Sequence, residues 1–98
     1  MLEGYYFDPK HGGCLRKIVK IDNYTFKITG AYGDDEPQTG EKWNAIAKKI
    51  KKDLYLVNFG GKKHVIHGDY KAKWNKSKRV LEWEDGNYWK LMFDWYKK

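Results

Sequence analysis

His11 and Cys14 lie three residues apart in the stretch Asp8-Pro9-Lys10-His11-Gly12-Gly13-Cys14, and they are the nearest thing in the chain to a nucleophile and its base. Nucleophilic catalysis needs an activated thiol or hydroxyl, a base within hydrogen-bond reach and a group that orients the base. A lone Cys packs more often as a small buried hydrophobe than it reacts, and that is the reading preferred for Cys14. Ser77, the only serine, sits inside a lysine run. His64 and His67 fall on opposite faces of a strand, and neither they nor Cys14 have the spacing of a metal site. Asp34, Asp35 and Glu36 form an acidic cluster that does not match a calcium loop. Gly30 and Gly33 alone are too little for a phosphate loop or dinucleotide fingerprint. The sequence therefore reads as a non-enzyme without cofactor or metal, and catalysis by Cys14 and His11 ranks last.

The basic residues carry more. Twenty Lys and Arg against thirteen Asp and Glu give a net charge of +7. Such a balance raises the expectation of an acidic partner, whether nucleic acid, anionic membrane or acidic protein, although a lysine-rich solubilising surface is the preferred reading of net charge alone. Lys48, Lys49, Lys51 and Lys52 form one cluster, Lys62, Lys63 and His64 a second, and Lys71, Lys73, Lys76, Lys78 and Arg79 a third. Tyr55, Phe59, Tyr70 and Trp74 lie beside them. Small barrels that bind single strands combine a cationic groove with aromatic stacking platforms, but the core of so short a chain needs most of its Trp and Phe. Tyr32, Trp95 and Tyr96 fall near strand ends or loops and are the aromatics expected to stay exposed. The candidate binding residues are thus Lys48, Lys49, Lys51, Lys52, Lys62, Lys63, Tyr32 and Trp95. The leading expectation is a non-catalytic binding or structural module, a component of a larger assembly, that contacts a protein or other acidic partner through lysine-rich faces. A single-stranded nucleic-acid-binding barrel is the alternative.

These residues must be positioned by one domain spanning 1–98, since ninety-eight residues leave no room for a second core. Hydrophobic residues are 41% and aromatics 17% of the chain, so rings carry much of the burial. No stretch approaches the roughly 20 apolar residues of a membrane span. Met1-Leu2-Glu3-Gly4 lacks the basic and apolar regions of a secretory signal, and the lone Cys14 slightly favours a reducing compartment. Tyr24, Phe26 and Ile28 alternate with polar residues as one strand, and Cys14 to Ile21 reads as another, covered or interrupted by a bulge. Trp43 to Ile50 fits both a helix face and a strand face; the strand is chosen because turns flank it. Leu54 to Phe59 is almost unbroken apolar and reads as a central strand covered on both sides. Val65 to Trp74 is the next strand, with a bulge at Gly68.

The closing hairpin is the strongest local signal, with Asp85-Gly86 between aromatic and aliphatic runs. A three-residue loop Asp85-Gly86-Asn87, with Asn87 left-handed, sets Trp83 against Trp89, Leu81 against Leu91 and Arg79 against Phe93. Glu82 then meets Lys90, and Glu84 meets Tyr88, which reads as a cross-strand charge pair and not as a catalytic acid and base. The expected fold is an all-β, small antiparallel barrel or barrel-like sandwich of about seven to eight short strands.

Four pieces, in order and spanning nearly the whole chain, carry a resemblance. They are Asp8-Pro9-Lys10-His11-Gly12-Gly13-Cys14-Leu15-Arg16, Gly30-Ala31-Tyr32-Gly33-Asp34 with Trp43 after it, Leu56-Val57-Asn58-Phe59-Gly60-Gly61-Lys62, and Trp83-Glu84-Asp85-Gly86-Asn87-Tyr88-Trp89. Together they resemble an uncharacterised small eukaryotic β domain of algae and large DNA viruses. The resemblance implies a fold unit, with Trp43 opening a strand, and no chemistry. Asn58 stands where that pattern favours Asp, and Lys63-His64 where it favours Gly and Pro, which makes the loop here more basic.

Overall fold

Alternation of apolar and polar side chains gives each strand of this chain a dry face and a wet one, and a sheet of such strands can hide its dry face by curling shut. The computed structural model describes residues 2–11, 15–31, 42–59 and 69–93. Cys14, Tyr32, the acidic cluster Asp34 to Glu36, Lys62, Lys63, His64, His67, Gly68, Trp95 and Tyr96 lie outside them. The elements are β1 (Gly4–Phe7), a single 3-10 turn (Pro9–His11), β2 (Leu15–Asp22), β3 (Thr25–Ala31), β4 (Lys42–Lys51), β5 (Leu54–Asn58), β6 (Asp69–Asn75), β7 (Val80–Trp83) and β8 (Tyr88–Phe93). Each strand pairs antiparallel with the next, and β8 returns to β1 with Tyr6 opposite Leu91, so the eight strands form a closed barrel. Of the two architectures the sequence allowed, the barrel is the one found.

Every second side chain points inward. Ile18 and Ile28 meet across β2 and β3, Ala47 meets Val57 across β4 and β5, and Trp74 meets Leu81 across β6 and β7; all six are buried. Trp43 to Ile50 is strand, with Trp43, Ala45 and Ala47 inside and Asn44, Ile46 and Lys48 outside. β5 departs from expectation: Tyr55 and Val57 are buried while Leu54 and Leu56 are only half-buried on the outer wall. A barrel has one covered face, so this strand is wrapped on its inside alone. Lys27, Lys48, Lys71, Lys73 and Lys90 are exposed on that outer wall, the inverse of a barrel that faces lipid with an apolar band.

The closing hairpin differs from its expected register. Leu81 opposes Trp89, Glu82 opposes Tyr88 and Val80 opposes Lys90, while the Leu91 N–H donates to the Arg79 carbonyl at 2.9 Å. The expected pairs Trp83–Trp89, Leu81–Leu91, Arg79–Phe93, Glu82–Lys90 and Glu84–Tyr88 are therefore not directly opposed, although the Trp83 and Trp89 rings still meet at a centroid separation of 4.7 Å. The loop is Glu84-Asp85-Gly86: the Gly86 N–H donates to Trp83 at 3.0 Å and the Trp83 N–H to Asn87 at 2.9 Å. The left-handed residue is Gly86, at φ 92°, because a glycine enters that region without a Cβ penalty. The faces nevertheless come out as expected, with Leu81, Trp83, Trp89 and Leu91 all buried. Glu84 accepts the Lys71 N–H and Glu82 accepts from Asn75 at 3.4 Å, so both carboxylates are occupied by the neighbouring strand β6.

One glycine is required by space. Gly30 lies directly opposite Trp43, and a Cβ there would meet the indole at Cε2 (2.7 Å) and Cη2 (2.9 Å). The ring lies in the room that the missing side chain leaves, against Phe59 at a centroid separation of 5.7 Å. Gly30→Ala should therefore destabilise the barrel by about 1–3 kcal/mol through overpacking. Denaturant unfolding checks this, and an unchanged midpoint would show that Trp43 is free to move aside.

Candidate functional site

Lys20, Lys49 and Lys76 occupy positions at which the chain should be burying apolar side chains. Lys20 continues the inward series Arg16 and Ile18 on β2, Lys49 continues Trp43, Ala45 and Ala47 on β4, and Lys76 follows Ala72 and Trp74 on β6. All three stand one step beyond the buried core, at the end of the barrel that carries the β2–β3, β4–β5 and β6–β7 turns. Long aliphatic stems allow lysine to lie along apolar surface while the ammonium reaches water. With Lys52 from the β4–β5 turn, they line a mouth of about 280 Å³. Asn23 and Asp53 complete its polar rim.

The floor of this mouth is aromatic. Phe26, Tyr55 and Trp74 line it together with Leu2, and each is at most 7% exposed. Phe26 packs edge-on to Tyr55 at 5.6 Å, and Trp74 edge-on to Tyr6 at 6.1 Å. The Tyr6 hydroxyl donates to the Leu2 carbonyl, which draws the first residues beneath the core. Burial pushes the Tyr55 phenol above its ordinary pKa, with the Asp53 charge adding to it, so this group stays a neutral hydroxyl at the base of a cationic rim. The arrangement can receive an anionic group by charge, above an aromatic floor that is itself nearly closed to solvent. It holds no cluster suited to a cation: among the described residues there is no group of three His, Cys, Asp or Glu side chains that could hold a metal ion.

The candidate residues divide. Lys49 and Lys52 line the mouth, and Lys51 is exposed beside it. Lys48 faces the other way, into a shallow outer groove with Ile46, Leu56, Asn58 and Asp69. Lys62, Lys63, Tyr32 and Trp95 lie outside the described residues. Tyr55, Phe59 and Trp74, the proposed stacking platforms, are buried, and Tyr70 is half-buried against them. The sequence reading missed Lys20 and left Lys76 in an undifferentiated run. The signal was present as parity, a lysine following two or three inward positions on the same strand.

A second polar feature is wholly enclosed. Arg16 and Asp8 are each 2% exposed and form an ion pair at 3.3 Å. Asp8 also accepts the Lys10 N–H at 3.0 Å and the Asn87 side-chain amide at 3.1 Å. The guanidinium lies against Trp43 at 5.1 Å and Trp89 at 5.7 Å, contacts in which indole faces attract a cation. Arg16 Nε and Nη1 have no hydrogen-bond partner among the described residues.

Compared with family models, with curated proteins and with solved structures, the chain finds no match. No helix among the described residues is long and apolar enough to cross a membrane.

The enclosed pair yields a test of its own. Asp8→Ala leaves a guanidinium buried without its counter-charge and should cost about 3–5 kcal/mol, whereas Asp8→Leu combined with Arg16→Met should cost far less. Urea denaturation of the three proteins separates them. Equal losses in the single and double variants would mean that packing, not charge, dominates there.

Proposed function

We propose that the protein is a non-catalytic binding module, a component of a larger assembly, that captures an acidic partner at the lysine-rimmed end of its barrel. One observation carries this reading: Lys20, Lys49 and Lys76, from three separate strands or their ends, converge with Lys52 on a single mouth over Phe26, Tyr55 and Trp74. Lysines present only for solubility have no reason to occupy positions of core parity. The rim places like charges side by side, and that arrangement is relieved when an anion enters. A single-stranded nucleic acid is the weaker reading, because the aromatics beside the outer-wall lysines are core residues and offer no platform on which bases stack.

The test compares two charge reversals of equal size. Lys20→Glu/Lys49→Glu/Lys76→Glu reverses the mouth, and Lys27→Glu/Lys71→Glu/Lys73→Glu reverses the outer wall. A polyglutamate peptide, titrated at low salt and followed by tryptophan fluorescence, should lose affinity by about tenfold or more with the mouth variant and much less with the wall variant. Equal losses would make the charge diffuse and the mouth incidental. A mixed-sequence single strand that binds wild type more tightly than the peptide, with a steeper salt dependence, would favour nucleic acid instead.

A further inference from the structure

Two of the three hairpins that supply the mouth share a local device. In β2 the register skips Ile21 between Lys20 and Asp22, and in β4 it skips Ile50 between Lys49 and Lys51. A bulge re-aims the side chains around it. Here each bulge has a mouth lysine followed by an isoleucine that is more than half exposed, Ile21 at 56% and Ile50 at 51%. Between them lies Tyr24, 66% exposed at the tip of the β2–β3 turn. The Asp22 carboxylate accepts the Tyr24 N–H at 2.9 Å, and the Tyr24 carbonyl accepts the Lys49 N–H at 2.8 Å. The turn is thereby fixed in shape and set beside the end of β4.

From this we infer that the acidic partner is an anionic lipid surface, met end-on, with Ile21, Tyr24 and Ile50 entering the interface while the mouth lysines meet the headgroups. The inference rests on the proposed role of the mouth and adds its partner. Charge complementarity supports it, since lysines near an anionic leaflet are each drawn to it. The spacing of the apolar side chains supports it further. Ile21 stands between Lys20 and Asp22, and Ile50 between Lys49 and Lys51, so each exposed isoleucine that would enter the interface has a lysine beside it to meet a headgroup. A bilayer takes up separated side chains one at a time, and a tyrosine ring belongs at headgroup depth. So few insertions give reversible binding, which is the regime in which charge and apolar contact are both needed.

Vesicle co-sedimentation tests this with the full chain. Wild type should bind phosphatidylcholine vesicles containing phosphatidylserine and not phosphatidylcholine alone. Ile21→Ser/Tyr24→Ser/Ile50→Ser, at three exposed positions, should lower that partitioning by about tenfold and leave polyglutamate binding unchanged. If wild type binds polyglutamate but no vesicle, the lipid inference is overturned and the mouth keeps a soluble acidic partner. Failure of both probes overturns the lipid inference together with the reading beneath it. Vesicle binding that survives the serine substitutions, or that ignores phosphatidylserine, overturns the two-part mode of attachment.

Discussion

Arg16 is enclosed by the barrel with one carboxylate, Asp8, as its ion-pair partner, and a charge removed from water costs several kcal/mol unless its surroundings replace the lost solvation. Much of the upper barrel follows from meeting that demand. Asp8 must itself be buried, which fixes the exit of β1 and the 3-10 turn whose Lys10 N–H it accepts. Asn87 must reach Asp8 across a separation of 79 residues, which ties the closing hairpin to the first strand at the seam where the barrel shuts. Trp43 and Trp89 must present ring faces to the guanidinium, and Trp43 can do so because Gly30 opposite it has no side chain. The ion pair thus stands where contacts from β1, the closing hairpin and two indoles of the core meet.

The same rule of alternating faces has opposite outcomes at the two ends. Toward the β7–β8 loop, the inward charge is Arg16, paired and enclosed. Toward the β2–β3 and β4–β5 turns, the inward charges are Lys20 and Lys49, exposed and gathered over rings. Arginine suits the first place because its planar group stacks on aromatic faces, and lysine suits the second because its flexible stem reaches solvent. The lysines and the core aromatics therefore belong to one sheet face, read at different depths.

How much of this was legible follows from what alternation encodes. It assigns a face to each residue, and the inward sets Trp43, Ala45, Ala47 and Leu81, Trp83, Trp89, Leu91 are buried as their spacing requires. It does not fix the pairing, because a slip of two residues returns every side chain to the same face. The closing hairpin made that slip, and its register was settled by which residue could take the positive φ, Gly86 and not Asn87. The burial of Arg16 was hidden for another reason. A charged residue in an alternating run reads as the wet face, and only the partner eight residues earlier, Asp8, reverses the sign of that expectation. Lys20, Lys49 and Lys76 were hidden by composition, since in so basic a chain a lysine at core parity does not stand out from its neighbours.

Closure also limits where recognition can occur. Among the described residues every strand of the barrel has a neighbour on each side, so none is a free edge strand of the kind that a partner extends by strand addition. Among the described residues the interior is packed by Trp43, Trp74, Trp83 and Trp89, side chains that fill a barrel of this strand number where wider barrels leave room for a ligand. The outer wall sets lysines against half-buried leucines along its strands, a surface suited to water. The recess that several lysines share is the open end, where the core stops at Phe26, Tyr55 and Trp74 and the next inward positions are cations. On the binding role proposed above, a partner would meet a barrel closed this tightly at the point where the alternation of its strands runs out.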